Sequence, residues 1–290
     1  MIIVENSNSI FNSLNDLFSK LFSSIDNNIY SNLDEITFIN TDIIKFSNIT
    51  KIVGDNSKEG ILLISNALIF GIIIYYSINY LISHLTMSKI QNPTQFIFKL
   101  IIFSILMNFS VWICLQIVDI ISTVSLLVRQ IGEKLFKESI CFSSFIEVIN
   151  EKIYLNEENI DIFSFDGIIK FFLSVGFINL IFTNSLRYIM VQALIILSPF
   201  AFLCLISDKT EMYFKKWLIS FLSLLLEQIL ISVILILSFS FENNLDQTYL
   251  KILYIGVLNA LSKSNYYMNQ IIGGISTTVQ SGISNLKKVK

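Results

Sequence analysis

The chain carries few of the residues from which soluble enzymes and metal sites are built. Only 14% of its 290 residues are charged, whereas about a quarter are charged in an ordinary soluble domain. It has three isolated cysteines, Cys114, Cys141 and Cys204, and a single histidine, His84. A metal cage of Cys and His ligands and a histidine-dependent catalytic triad are therefore close to excluded. The net charge of −2 also lacks the basic excess that neutralises nucleic-acid phosphates.

Enzyme motifs are absent as well. The sequence has no G-x-x-x-x-G-K-[ST] loop, no G-x-G-x-x-G after a strand, no G-x-S-x-G and no H-E-x-x-H. We therefore expect a protein that is not an enzyme and that uses neither a cofactor nor a metal. If it works in an energised machine, the ATPase must be a separate protein.

Apolar residues, in contrast, are abundant and stand in long uninterrupted runs. They make up 53% of the chain, and the mean hydropathy is +0.68. Runs of this length without charges are typical of helices that cross a bilayer. The sequence predicts an all-α polytopic membrane protein with about five transmembrane helices and amphipathic flanking helices. The predicted spans are residues 61–82, 100–118, 171–186, 188–207 and 218–241.

The spans divide the chain into five parts. Residues 1–60 form an N-terminal segment with an amphipathic pattern between Ile10 and Ile25, which indicates either a helix packed on its own protein or one lying on the bilayer. A transmembrane hairpin (61–119), a central extracytoplasmic loop (120–169) and a transmembrane core of three helices (170–241) follow. A tail (242–290) contains an apolar stretch, 250–261, that is too short to span and is expected to pack or to lie at the interface.

The distribution of charge predicts the orientation. Residues 1–60 hold four Lys against eight acids, residues 119–169 hold four basic residues against nine acids, and residues 242–290 hold five against two. The positive-inside rule then favours an extracytoplasmic N-terminus and a cytoplasmic C-terminus, as five spans require. Lys209, Lys215 and Lys216 would then lie outside, against the rule. If 171–186 only lay at the interface, that loop would move inside and the C-terminus outside, so both topologies stay open.

Polar residues recur at helical spacing within two spans. Ser104, Asn108, Trp112, Gln116 and Asp119 share one predicted face, and Gly176, Asn179, Thr183 and Arg187 share another. In lipid, such faces either hold helices together by hydrogen bonds and close packing or line a wet path. Both interpretations stay open.

Glu227 is the most informative single residue of the sequence. An ionised carboxylate at bilayer depth costs several kcal/mol unless it is paired, protonated or wet, so Glu227 is expected to face protein or water. Arg187 or a polar residue of span 100–118 is a plausible partner. A structural ion pair or hydrogen bond and a proton-relay or ion site are the alternatives.

Two further residues mark local structure near these polar positions. Pro199 lies inside the predicted span 188–207, where it removes one helical hydrogen bond and crowds the carbonyl of Ile195, so the helix should kink or break there. Trp217 is expected to pack within the protein or to anchor a helix at the membrane interface.

The order of features from Arg187 to Leu237 carries a family resemblance. Arg187 stands in an apolar run that leads into Ser198 and Pro199, a charged turn follows, and Lys215, Lys216 and Trp217 begin another long apolar helix. This pattern resembles the core of the TrbL-type polytopic inner-membrane subunits of type IV secretion and conjugation systems. The chain departs from that family in its short length, its small central loop and its lack of a long glycine-rich extension.

The resemblance implies a multi-pass protein of the bacterial cytoplasmic (inner) membrane. It implies a non-enzymatic channel or scaffold subunit that forms a homo-oligomer and works with other secretion-complex subunits, including separate ATPases. Its other partners would be membrane lipid and, in transient contact, a transported DNA-protein substrate. The alternative is a permease subunit of a multicomponent transporter, with a site near Pro199 and Glu227. We find no internal repeat between 61–120 and 171–241, which weighs against that alternative.

Overall fold

The computed structural model describes residues 27–46, 49–54, 60–86, 92–153, 165–241 and 247–273. Every regular element in these ranges is helical, and the predicted all-α class is confirmed. Three short helices come first: α1 (Asn27–Thr37), α2 (Thr41–Phe46) and α3 (Ile49–Val53). Nine more follow: α4 (Gly60–Thr86), α5 (Pro93–Asn108), α6 (Ser110–Phe136), α7 (Phe142–Ile153), α8 (Phe165–Ile196), α9 (Ser198–Leu203), α10 (Glu211–Phe239), α11 (Gln247–Ser262) and α12 (Ser264–Ile272).

The long helices make the chain a multi-pass membrane protein. Helices α4, α6, α8 and α10 are long and apolar enough to cross a bilayer, and α5 and α11 are shorter apolar helices. Most large side chains of α4 are exposed and apolar, as expected where a helix faces lipid. More than half of the most apolar stretch of α10 is buried, which makes α10 the central helix of the bundle.

The helix boundaries differ from the predicted spans at two places. The spans predicted at 171–186 and 188–207 are not separated at Arg187, because α8 continues through this residue to Ile196. A charged residue commonly marks the end of a span, but here the charge is paired inside the protein, and no Pro or Gly breaks the helix. The predicted span 100–118 is interrupted at Phe109, where α5 ends and α6 begins.

The helix break expected at Pro199 is present. Helix α8 ends at Ile196, and α9 begins at Ser198 with Pro199 in its first turn. Proline is well tolerated there because the first amides of a helix have no intrahelical acceptor. A 3₁₀ turn, Cys204–Ile206, then leads towards α10.

Specific contacts fix how the long helices run. Helices α4 and α5 are antiparallel, with the rings of Tyr76 and Phe96 stacked at 3.7 Å between centroids and Asn66 Nδ2 lying 3.5 Å from Asn108 Oδ1. Helices α8 and α10 are also antiparallel, whereas α6 runs parallel to α10. Ser125 Oγ of α6 lies 2.8 Å from Ser232 Oγ of α10, in the middle of that second contact.

The segments outside the long helices pack onto the same bundle. Leu33 and Phe38 at the N-terminal side share a core with Phe142 and Phe145 of α7 and with residues of α8 and α10. Helix α6 (Ser110–Phe136) runs across the predicted boundary between residues 119 and 120, and Phe142 and Phe145 of the central segment share a core with the helices around them.

The apolar stretch 250–261 packs against the helix bundle, which is one of the two placements expected from the sequence. It lies within α11, and Tyr254 and Leu258 are buried in the same core. The amphipathic pattern at 10–25 and the basic residues at the end of the tail lie outside the described residues.

Candidate functional site

The centre of the bundle contains an ion pair from which solvent is excluded. Arg187 of α8 and Glu227 of α10 both have no exposed surface, and Arg187 Nη1 lies 3.9 Å from Glu227 Oε2. Antiparallel packing of the two helices brings these residues to the same level. Of the partners that the sequence offered for Glu227, the structure selects Arg187.

Glu227 also binds the beginning of α12. Its Oε1 accepts a hydrogen bond of 2.6 Å from Ser264 Oγ, and its Oε2 accepts one of 2.8 Å from Asn265 Nδ2. Ser264 and Asn265 are the first two residues of that helix. A carboxylate is favoured at this end because the helix dipole places partial positive charge there.

Arg187 binds the opposite end of another helix. Its Nη2 donates a hydrogen bond to the carbonyl oxygen of Thr37, the last residue of α1. Carbonyls in the last turn of a helix lack intrahelical donors and carry partial negative charge. The ion pair therefore joins four helices and complements one helix terminus at each of its two ends.

Burial determines how much this ion pair can contribute to the stability of the fold. Each charge loses its hydration, and the mutual attraction repays that loss only where hydrogen bonds satisfy the remaining polar atoms. Glu227 meets this requirement through Ser264 and Asn265. Removing one charge leaves the other buried without compensation, which is strongly destabilising, so the burial of each residue depends on the presence of the other.

Several buried polar atoms of the pair, of its sequence neighbours and of Thr37 have no hydrogen-bond partner among the described residues. They are both side-chain amide atoms of Asn184 and of Gln228, the hydroxyls of Thr37 and Ser223, and Nε and Nη1 of Arg187. Asn184 lies one helical turn before Arg187, and Ser223 lies one turn before Glu227. Amide and hydroxyl groups of this kind can bind water or a small ion. The described residues contain no group of three or more His, Cys, Asp or Glu side chains that could hold a metal ion.

The polar face predicted for span 100–118 is divided in the structure. Because the helix is interrupted at Phe109, Asn108 belongs to α5 and Gln116 and Asp119 belong to α6. Asn108 and Gln116 are exposed. Asp119 is half-buried and accepts a hydrogen bond of 2.6 Å from Thr41 Oγ1, which fixes α2 against α6.

The second predicted face, on α8, also divides. Thr183 and Arg187 are buried, but Asn179 is exposed. Thr183 Oγ1 donates to the carbonyl of Asn179 at 2.8 Å, so this hydroxyl is satisfied within its own helix. The face expected at helical spacing therefore supplies one residue, Arg187, to the central ion pair.

Trp217 is half-buried and packs on its own protein, where it binds the end of α8 just before the helix break at Pro199. Its Nε1 donates a hydrogen bond of 3.1 Å to the carbonyl of Leu194, one of the last carbonyls of α8. Its ring stacks on Phe221 with 5.5 Å between centroids. Pro199 is buried, and its position starts the short helix that turns the chain towards α10.

A second charged residue, the half-buried Asp34, lies near the N-terminal side and was not identified from the sequence. Asp34 Oδ1 accepts a hydrogen bond of 2.9 Å from the backbone amide of Phe142, at the start of α7. Burial raises the pKa of the Asp34 carboxyl, although this hydrogen bond and the charge of Arg129 oppose the shift. The guanidinium of Arg129 lies 3.9 Å from the centre of the Phe38 ring, a cation–π contact.

The residues that the sequence analysis missed share one property. Thr37 contributes a backbone carbonyl, and Asp34, Ser264 and Asn265 act from segments distant in sequence from the groups they bind. Ser264 is the first residue of α12 and follows its N-cap residue, Lys263, so the preference of Ser for N-cap positions does not identify it either. No family model, curated protein or solved structure matches this chain.

Proposed function

We propose that the protein is a non-enzymatic scaffold or channel subunit of a multicomponent bacterial membrane complex, of the type IV secretion or conjugation class. One observation supports a structural role above the others. The buried pair Arg187 and Glu227 is engaged with protein groups on both sides. Charges that line a wet path would instead face a water-filled space.

The assignment to secretion rests on the resemblance of residues 187–237 to TrbL-type subunits. Two features of that resemblance are the helix break at Pro199 and the following Trp217. In the structure, Trp217 of α10 donates a hydrogen bond to Leu194 of α8, shortly before that break. In this role the chain would reside in the inner membrane as a homo-oligomer, beside separate ATPases and other subunits. A DNA-protein substrate would touch it only in transit.

A permease subunit is the second candidate, and a specific observation favours it. Asn184 of α8 and Ser223 and Gln228 of α10 have buried polar atoms without partners among the described residues, and α8 is the helix that is interrupted before Pro199. Transporter sites often combine an interrupted helix with polar groups of this kind near the bilayer midplane. Such a site would bind a small solute or ion, and ion coupling would require Glu227 to change its charge.

The two candidates predict different results for one pair of variants in a strain that lacks the native gene. As a scaffold, the protein should tolerate the combined change Arg187→Met and Glu227→Leu, which replaces the ion pair by apolar side chains, so that complex formation and DNA-transfer frequency stay near the wild-type values. Asn184→Leu with Ser223→Ala, which removes the unpartnered polar groups, should likewise preserve transfer.

The opposite results would support the permease. DNA transfer would be unaffected by deletion of the gene, whereas uptake of a solute would depend on it and would be lost in both double variants while the protein still accumulates in the membrane. Loss of transfer on deletion, restored by the wild-type gene and by both double variants, would support the scaffold.

A further inference from the structure

We propose that α6 forms a contact between two copies of the chain, which pack side by side in the membrane. Five exposed residues of α6 form the contact surface, here called the seam: Gln116, Ile120, Thr123, Leu127 and Gln130. The proposal rests on the homo-oligomer in the proposed function and names the surface that forms it.

The seam lies on the face of α6 that points away from the rest of the bundle. The opposite face carries Cys114, Val118 and Ser125, which are buried, and Ser125 binds Ser232 of α10. With 3.6 residues per helical turn, a side chain at position 125 points away from one at position 116. All five residues of the seam are exposed, so no described part of the chain covers them.

The seam has the spacing at which two helices pack along their length. Its residues follow one another at intervals of four, three, four and three positions. This is the seven-residue repeat of paired helices, in which a slight supercoil keeps one face on its partner over several turns. Gln116, Thr123 and Gln130 occupy one position of the repeat, and Ile120 and Leu127 occupy the other. The seam therefore fits a second helix with the same repeat.

The seam lies beside the membrane-spanning part of the bundle. Helix α6 is long and apolar enough to cross a bilayer. It packs on α10, whose residues 217–239 contain a single charged side chain. Near one end of the seam, Cys114 shares a core with Phe221, and near the other end Gly132 lies against Ile236. Exposed side chains of α6 at this level face hydrocarbon.

The polar residues of the seam differ in their need for a partner. The hydroxyl of Thr123 donates a hydrogen bond of 2.8 Å to the carbonyl of Asp119, within its own helix. The carboxamides of Gln116 and Gln130 are exposed, and hydrocarbon offers no water to bind them. Because a polar group without a hydrogen bond is costly in an apolar medium, these two residues favour a polar partner over lipid.

A second copy of α6 supplies that partner. A carboxamide both donates and accepts hydrogen bonds, so one glutamine is a complete partner for another. Copies of one chain insert in the same orientation, so a two-fold axis along the membrane normal relates them, and each residue of the seam faces its own counterpart. The small Thr123 lets the two helices approach closely between the two pairs of glutamines.

The seam ends before the next charged residue at this spacing. Lys134 is exposed and lies in the last turn of α6. Its long side chain can extend to water at the membrane surface. Two copies therefore need not bring these two positive charges into contact.

Disulfide crosslinking of the full-length protein in membranes tests the seam. The three native cysteines are replaced, and a single cysteine is introduced by Ile120→Cys or by Leu127→Cys, which leave all polar residues of the seam in place. Oxidation with copper phenanthroline should link each variant to a second copy. Phe182→Cys is the control, because Phe182 is 61% exposed on α8; it should stay monomeric.

Two crosslinking results would overturn the proposal. Absence of a linked dimer from both seam variants would assign this face to another occupant, such as lipid or the segment 10–25 of the same chain. Equal crosslinking of Phe182→Cys would show that copies meet by random collision.

The dimer affinity of the chain with its native cysteines tests the carboxamides and does not need the cysteine-free protein. Full-length copies carry donor or acceptor dyes on a terminal tag, and energy transfer is measured as they are diluted in lipid vesicles. Gln116→Leu combined with Gln130→Leu should weaken the dimer by about three- to tenfold, as expected for one or two hydrogen bonds between helices in lipid. Gln116→Asn combined with Gln130→Asn keeps the carboxamides and should restore part of this loss.

Asn179→Leu is the matched control for these variants. Asn179 is an exposed residue of α8 that lies outside the seam, so its replacement should leave the dimer affinity unchanged. A wild-type chain that stays monomeric in the vesicles would overturn the proposal. An unchanged affinity in the double Leu variant, or an equal loss in Asn179→Leu, would do the same.

These readouts separate the seam from the secretion role. Crosslinking through Ile120→Cys and Leu127→Cys, in a protein whose deletion leaves DNA transfer unaffected, would support the seam and contradict the secretion role. DNA transfer that depends on the gene, without crosslinking at either position, would support the secretion role and contradict the seam.

Discussion

Ser264 donates a hydrogen bond of 2.6 Å to Oε1 of Glu227, so that the last described helix begins on the carboxylate that pairs with Arg187. This contact joins a helix near the end of the described chain to the most buried helix of the bundle. It also gives Glu227 a polar partner besides the arginine, which lowers the cost of burying its charge. The stability of the C-terminal part should therefore depend on a residue in the centre of α10.

The buried ion pair should be strongly coupled. Arg187→Met and Glu227→Leu should each lower the free energy of unfolding by about 3 to 5 kcal/mol, because each leaves an uncompensated buried charge. The double variant should lose much less than the sum of the two. Denaturant titration of the detergent-solubilised protein measures all four free energies.

The exposed pair of Glu211 and Lys215, with 2.8 Å between charged atoms, is the matched control. Glu211→Gln and Lys215→Met should each change stability by less than about 0.5 kcal/mol, since exposed pairs one helical turn apart contribute little. Additive losses for Arg187→Met and Glu227→Leu would show that the buried residues act separately.

The two tryptophans should respond differently to the same substitution. Trp217→Phe keeps an aromatic ring but removes the donor to the Leu194 carbonyl, so it should cost about 1 to 2 kcal/mol. Trp112 is 61% exposed, and Trp112→Phe should stay within about 0.5 kcal/mol of the wild type. Thermal unfolding in detergent compares them, and equal shifts in Tm would contradict the role assigned to Trp217.

Substitution of Ala for Gly at two positions in long helices should affect the free energy of unfolding differently. A Cβ on Gly132 would lie 2.7 Å from Cγ1 of Ile236 and 3.0 Å from Cγ1 of Ile140, so Gly132→Ala should destabilise the protein by about 1 to 3 kcal/mol through overpacking. A Cβ on Gly71 meets no atom within 4 Å. Gly71→Ala should be neutral or stabilising by up to about 1 kcal/mol, because Ala is the better helix former. Unfolding free energies of the two variants decide this, and a stable Gly132→Ala protein would refute the close contact of α6 and α10.

Asp34 should make stability depend on pH in a defined direction. Burial raises the pKa of Asp34 in the folded state above its pKa in the unfolded state. The stability that the protonated carboxyl contributes is therefore fully present at pH values below the unfolded-state pKa of about 3.9. That contribution is lost as pH rises through the raised folded-state pKa. Asp34→Asn keeps a carbonyl acceptor for the Phe142 amide but cannot ionise, so it should remove this loss. Tm measured from pH 4 upward should fall more steeply in the wild type than in Asp34→Asn, and parallel curves would contradict the assignment.

The sequence by itself determined the class of the protein and its local interruptions. Long runs of apolar residues form helices in lipid because every backbone polar group must be satisfied within the segment, and this requirement does not depend on neighbours. The break at Pro199 is equally local, since it follows from a missing amide and a steric contact in the same chain segment.

Only the tertiary structure decided where the polar side chains go. Spacing places Arg187, Asn179 and Thr183 on one face of a helix, but it does not specify which way that face points or what lies opposite. The ion-pair partner of Arg187 comes from another helix, and its hydrogen-bond acceptor is the backbone carbonyl of Thr37, which no side-chain pattern can reveal. The wrong prediction that a helix ends at Arg187 has the same cause. A charged residue ends a span when its charge must reach water. Helix α8 continues through Arg187 because Glu227 and the carbonyl at the end of α1 bind the guanidinium in place of water.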